Sequence, residues 1–161
     1  MLNKILVSID GSPISFRALE FAMGVGKACG SEIVVLHVSV PFDLSKLHSY
    51  EMEQLDDDIL ERIMKKEGSK EELTEGEKAK AGTGALETAK KKAAAAGYAK
   101  IEFKEIVHTE PAKTILKQAK ILAVDSIVVG TSGLGLMSAA LLGSVSAKVA
   151  ANAECPVIIV K

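Results

Sequence analysis

Ile127-Val128-Val129-Gly130-Thr131-Ser132-Gly133, followed after nine residues by Gly143-Ser144-Val145, is the stretch that decides the fold. An apolar, β-branched run that stops at a glycine reads as a buried strand entering a turn. Val145, Val149 and Ala153 then fall at helical spacing, so Gly143-Ser144 opens a helix. Glycine lets a backbone come close to a ligand and take φ > 0 without penalty. Free N–H groups and the positive dipole end of a helix start make an anion site. Strand, glycine-bearing loop and helix start, in that order, suggest a phosphate cradle. Taken alone, the same glycines also describe an ordinary turn with Ser144 as a helix cap. Two better-known cradles are excluded, because the chain holds neither GxxxxGK[ST] nor a GxGxxG after a strand.

Working outward, Ile5-Leu6-Val7-Ser8-Ile9-Asp10 reads as a buried strand ending in a carboxylate. Gly11-Ser12-Pro13 supplies a turn, an N-cap and a proline for the first helical turn. Ile14, Ala18, Phe21, Ala22, Val25 and Cys29 form one apolar stripe, and Gly30 ends that helix. Ile33–Val38 is a second apolar strand and Ile101–Val107 a third, alternating one. Glu110-Pro111 starts a helix with Ile115, Ala119 and Leu122 on one face. Asp125–Val129 and Pro156–Val160 are the fourth and fifth strands. Strands alternating with helices predict a single α/β domain with a parallel sheet. Strands apolar throughout predict helices on both faces. Ligands of such sheets bind at the carboxyl ends of strands, where the strand order reverses. Asp10, Val38 and Gly130 all lie at or near such ends.

The chain has 161 residues, a size for one domain with a real core. Its hydrophobic share of 48% and charged share of 25% are ordinary for a globular domain. A net charge of −1 implies no basic surface for nucleic acid. Met1-Leu2-Asn3-Lys4 lacks the apolar core of a signal peptide, and no apolar run reaches membrane-spanning length. A cytoplasmic protein with no membrane association is expected. Cys29 and Cys155 have apolar neighbours and no metal-ligand spacing, which suggests buried free thiols. Residues 43–97 stand apart as a charged insert. Leu55, Ile59, Ile63 and Met64 suggest one amphipathic helix there, Thr83–Gly97 another, and Gly68–Gly84 a solvated loop between them.

With the strands laid out, the chain resembles the universal stress protein family over nearly all of its length. Lys4-Ile5-Leu6-Val7-Ser8-Ile9-Asp10-Gly11-Ser12, Leu36-His37-Val38 and Gly130-x2-Gly133-x9-Gly143-Ser144 carry the resemblance. Glu110-Pro111-Ala112 and Cys155-Pro156-Val157 also look like the family. The resemblance implies a five-stranded parallel sheet in the order 3-2-1-4-5 spanning residues 1–161. It implies an adenine nucleotide (ATP, or ADP or AMP) in the cleft between the first and fourth strands. In that picture Val38 meets adenine through its backbone, and Asp10 faces the ribose above a floor of Ser8 and Ile9. Val129 and Gly130 lie against the ribose side, while Gly133, Leu134, Gly143, Ser144 and Val145 surround the phosphates. Leu134–Leu142 contains no Lys or Arg, although many relatives carry a basic residue there. Phosphate binding would then rest on N–H groups and a metal ion, Mg or Mn. The resemblance also implies a homodimer joined through the apolar edge strand Val157–Val160. The function it implies is that of an ATP-binding stress-response switch or sensor, with at most slow ATP hydrolysis.

Other chemistry is weaker. A phospho-acceptor role for Asp10 would need a carboxylate after the third strand, which ends instead in Val107-His108-Thr109. His37 reads as a satisfied core histidine, His108 as a surface loop residue, and His48 has no suggestive partner. Met23, Met52, Met64 and Met137 read as core or helix-face filler. No Ser/His/Asp or Cys/His set assembles, so no catalytic residue is assigned. Two alternatives stand: an interaction module of the same fold that binds no nucleotide, and an adenine-nucleotide-using enzyme.

Overall fold

A computed structural model describes residues 2–39, 83–131 and 142–161. In it, β1 (Lys4–Ile9) buries Ile5, Leu6, Val7 and Ile9 to within 2% of full burial. A strand apolar on both sides needs cover on both faces, and β1 has it as the middle strand of the sheet. Five strands line up as β3-β2-β1-β4-β5 and every pairing is parallel. They are β1, β2 (Glu32–Ser39), β3 (Ile101–Val107), β4 (Ser126–Gly130) and β5 (Val157–Val160). The order steps outward from β1 to β3 on one side, then returns to start again with β4 on the other. The reversal between β1 and β4 is the topological switch point of an open α/β sheet.

Each parallel step needs a crossover, and helices supply it. The first, α1 (Pro13–Cys29), joins β1 to β2, and α2 (Thr83–Ala95) precedes β3. Next come α3 (Pro111–Ile121) before β4 and α4 (Ser144–Asn152) before β5. Alternation along the strands splits the core in two. Ile5, Val7, Ile9, Ile33 and Val35 pack against Ala18, Leu19, Ala22 and Met23 of α1 and the alanines of α2. Leu6, Val34, Leu36, Ile127 and Val129 pack against Ala112, Ile115 and Ala119 of α3 and Val149 of α4.

Details differ from the sequence expectation in four places. In α1 the buried row is Ser15, Ala18, Leu19, Ala22, Met23 and Gly26, while Phe21 is 44% exposed. Each residue turns a helix by about 100°, so Phe21 points well away from the direction of Ala22. Cys29, the last residue of α1, is exposed and Cys155 is half-buried; both are free thiols, and burial pushes the Cys155 thiol up. In α4 the face against the core is Ser146 and Val149, and Val145 is exposed. Finally, the end of the charged stretch is part of the core: Ala85, Ala89 and Ala93 of α2, spaced by four, are buried against the sheet. Gly84 lies inside that helix, and Gly97 follows it with φ +64°. The amphipathic helix around Leu55–Met64, His48, Met52 and Met137 lie outside the described residues.

Candidate functional site

The ladder brings distant residues to one level. Ile9 of β1 stands opposite His37 of β2, so Val38 lies one residue beyond. On the other side Val7 stands opposite Val128, which carries Ile9 and Gly130 two residues further to the same end of the sheet. The carboxyl ends of β1, β2 and β4 therefore gather Ser8, Ile9, Asp10, Val38, Val129 and Gly130 around the switch point. Ile9 and Val129 are buried on opposite faces, Ser8 and Val38 are half-buried, and Asp10 is exposed.

The turn after β1 is built from its own side chains. Asp10 Oδ1 accepts from Ser12 N at 2.9 Å, which folds the backbone into an Asx turn. Gly11 sits at φ +88°, a conformation that favours glycine. Ser12 is the N-cap of α1 and its Oγ accepts from Ser15 N at 3.2 Å; Pro13 follows in the first helical turn. Ser15 Oγ in turn accepts from Asp10 N at 3.3 Å. The serine read as a cap is therefore a cap, and it belongs to a closed ring of bonds with Asp10.

Across the crevice, β4 is tied to the start of α4. Thr131 O accepts from Gly143 N at 2.6 Å and from Ser146 Oγ at 2.8 Å. Thr131 N donates to Val160 O at 2.8 Å, which fixes the same residue to β5. No side chain caps α4 among the described residues, so the backbone N–H groups of its exposed first residues, Ser144 and Val145, have no acceptor there. Gly133 and Leu134 lie outside the described residues.

Two glycines differ from the expectation. Gly143 holds φ −61° and ψ 156°, a backbone open to any residue. Its N–H is also already engaged by Thr131. Gly130 is needed for packing: a Cβ there would stand 2.7 Å from Ile14 Cγ2, so the end of β4 seats the first turn of α1. What glycine provides at 130 is the absence of a side chain rather than left-handed backbone.

The histidines resolve unequally. His108 is exposed, and its Nδ1 accepts from Glu110 N at 3.0 Å at the start of α3. Nearby, Lys113 holds the Glu110 carboxyl below its ordinary range. His37 is 4% exposed and its Nδ1 lies 2.9 Å from Ile9 O, but its Nε2 has no partner among the described residues. Reading it as fully satisfied was thus only half right. Sequence reasoning also missed Ser15 and Ser146. The structure moves the N-cap from Ser144, as read from the sequence, to Gly143, and the signal for Ser146 is its place three residues after that cap, where a hydroxyl reaches back to the cap carbonyl.

The site carries no positive side chain among its described residues, so an anion would meet backbone N–H groups. No group of three His, Cys, Asp or Glu able to hold a metal ion occurs among the described residues. No helix there is long and apolar enough to cross a membrane.

Comparison with known proteins agrees with this fold. The model of the universal stress protein family matches residues 1–161. A universal stress protein of Bacillus subtilis (strain 168), YxiE, is 38% identical over 166 residues, covering all of both chains. A crystal structure of a universal stress protein in complex with cAMP aligns with TM-score 0.65 and 27% identity, over 99% of this chain and 97% of that one. The universal stress protein UspA from Lactobacillus plantarum shares the fold with TM-score 0.69 and 23% identity, over 99% and 98% of the two chains.

Proposed function

The chain belongs to the universal stress protein family, and we propose that it binds an adenine nucleotide, ATP foremost, where β1 and β4 part. The observation that carries this reading is one arrangement. The ends of β1, β2 and β4 converge beside a helix start whose first N–H groups have no side-chain cap. Uncapped N–H groups at a helix start suit phosphate oxygens, and half-buried apolar strand ends suit a purine face. The cAMP complex of a similar protein supports the choice of adenine.

In this reading the Val38 backbone meets the base and Asp10 the ribose, over Ser8 and Ile9. Val129 and Gly130 border the sugar, Ser144 and Val145 donate to the phosphates together with Gly133 and Leu134, and Gly143, whose own N–H is held by Thr131 O, lines the phosphate side without a side chain. Because no ready-made metal site exists among the described residues, Mg or Mn would be held chiefly by phosphate oxygens and water. No activated nucleophile or base stands beside the crevice among the described residues. The protein then acts as a switch or sensor in the cytoplasm, with at most slow hydrolysis. It works as a homodimer: β5 is an edge strand whose four apolar residues are all partly exposed, and such an edge invites pairing.

A denatured extract of the purified protein, read by mass spectrometry, should release adenine nucleotide. Empty extracts together with a flat calorimetric titration of ATP and Mg²⁺ would reject the reading. Gly133→Val with Gly143→Val should abolish binding. Light scattering should report a dimer that Ile159→Asp dissociates; a strict monomer at micromolar concentration would exclude it. Two observations favour a second reading, a nucleotide-free interaction module. The Gly143 N–H is already used by Thr131, and Gly130 is explained by Ile14.

A further inference from the structure

His37 is a polar residue in a row of aliphatic ones. Its neighbours on the same face of β2 are Ile33 and Val35, and it is buried to the same degree. Packing alone would be served by valine or leucine. A carbonyl oxygen only accepts, so the 2.9 Å contact with Ile9 O puts a proton on Nδ1. Nε2 is then a lone-pair acceptor, buried and without a partner among the described residues. A buried acceptor left unmet costs stability, so what Nδ1 does should matter.

The contact falls on one particular peptide group. Ile9 O and Asp10 N belong to the same plane. The oxygen is held by His37 Nδ1 from β2, and the N–H is held by Ser15 Oγ from α1 at 3.3 Å. Both ends of that plane are therefore pinned, and from different elements. The next atoms along the chain are those of Asp10, whose carboxylate is fixed in turn by Ser12 N at 2.9 Å. His37 is also directly followed by Val38. One ring thus ties the orientation of the β1 exit to β2, whose level the ladder register sets.

We propose that His37 is a positioning residue of the nucleotide site: as the Nδ1–H tautomer it pins the Ile9–Asp10 peptide and so orients Asp10. This rests on the nucleotide reading above for its consequence, but the pin itself does not. The test uses the full chain with His37→Asn, His37→Gln and His37→Leu. Asparagine carries its amide nitrogen on Cγ, where histidine carries Nδ1, and can still donate to Ile9 O. Glutamine moves the amide one bond further out, and leucine has no donor. Calorimetry with ATP and Mg²⁺ should show affinity weakened about tenfold in His37→Leu and His37→Gln, the upper scale of one lost hydrogen bond. His37→Asn should stay within a few-fold of the parent. Equal affinities in the asparagine and leucine variants, at equal thermal midpoints, would overturn the role. Two readouts need no nucleotide. Nitrogen NMR of the unliganded parent should show Nδ1 protonated and Nε2 bare. Amide exchange at Ser12 should quicken in His37→Leu more than in His37→Asn. A protonated Nε2 with bare Nδ1, or unchanged exchange in every variant, would also overturn it. A parent that binds no nucleotide refutes the functional reading instead, while the NMR and exchange results still decide the pin.

Discussion

The two ends of the sheet are finished differently. At the amino ends of the strands, side chains close the backbone off. Asp125 Oδ2 accepts from both Asn3 N and Lys4 N at 2.7 Å, Ser31 Oγ donates to Leu2 O, and Tyr98 Oη donates to Ser31 O. Gly26 leaves the space that the Tyr98 ring fills. At the carboxyl ends, side chains shape turns but leave donors open among the described residues. Asp10, Ser12 and Ser15 satisfy one another, while the first N–H groups of α4 have no side-chain cap. Among the described residues, one end is sealed by capping and the other is organised by turns with donors still unpaired, at the end where α/β sheets receive ligands.

Substitutions can separate the ends. Ile127→Ala in β4, fully buried between them, should cost about 2–5 kcal/mol in urea unfolding and serves as the end-neutral reference. Gly130→Ala should cost about 1–3 kcal/mol by overpacking against Ile14 and should weaken nucleotide binding as well. Ser12→Ala removes the α1 cap and should cost about 1 kcal/mol, with a further loss of affinity as the Asp10 turn loosens. Asp125→Asn at the sealed end should lower stability least and leave affinity untouched. A fall in affinity there would break the contrast between the ends.

Asp125 also gives the contrast a pH signature. The backbone N–H groups of Lys4 and Asn3 hold its carboxyl below the ordinary value. A depressed folded-state value means its stability contribution is fully present above the unfolded-state value, about 4. It is lost as pH falls through the folded-state value. Thermal midpoints of the parent and Asp125→Asn, measured from pH 6 to pH 2 (a window chosen to bracket about 4), should therefore converge on the acid side. A constant gap across that range would contradict the assignment.

Much of this was legible in the chain itself. β-Branched runs in 5–9, 33–38 and 127–129 marked the central strands because a parallel sheet buries both faces. Gly11 and Gly30 were readable as turns, and both take left-handed backbone. Gly130 was readable as special, but its packing role was not, since contact with Ile14 depends on tertiary placement that no local pattern encodes. The same holds for the bonds from Thr131 to Gly143 and Ser146. Alanines at 85, 89 and 93 were hidden inside a lysine-rich stretch whose charge masked a core-facing stripe. The pairing of His37 with Ile9 needed the strand register, which sequence alone does not supply.

The most direct test is a calorimetric titration of ATP with Mg²⁺ into the parent and into Gly143→Val. The backbone at Gly143, φ −61° and ψ 156°, is one that valine adopts, so the variant should fold, with a thermal midpoint lowered by the poorer N-cap of α4. The account predicts saturable binding by the parent and none by the variant. Binding absent from the parent, or equal in both, would contradict it.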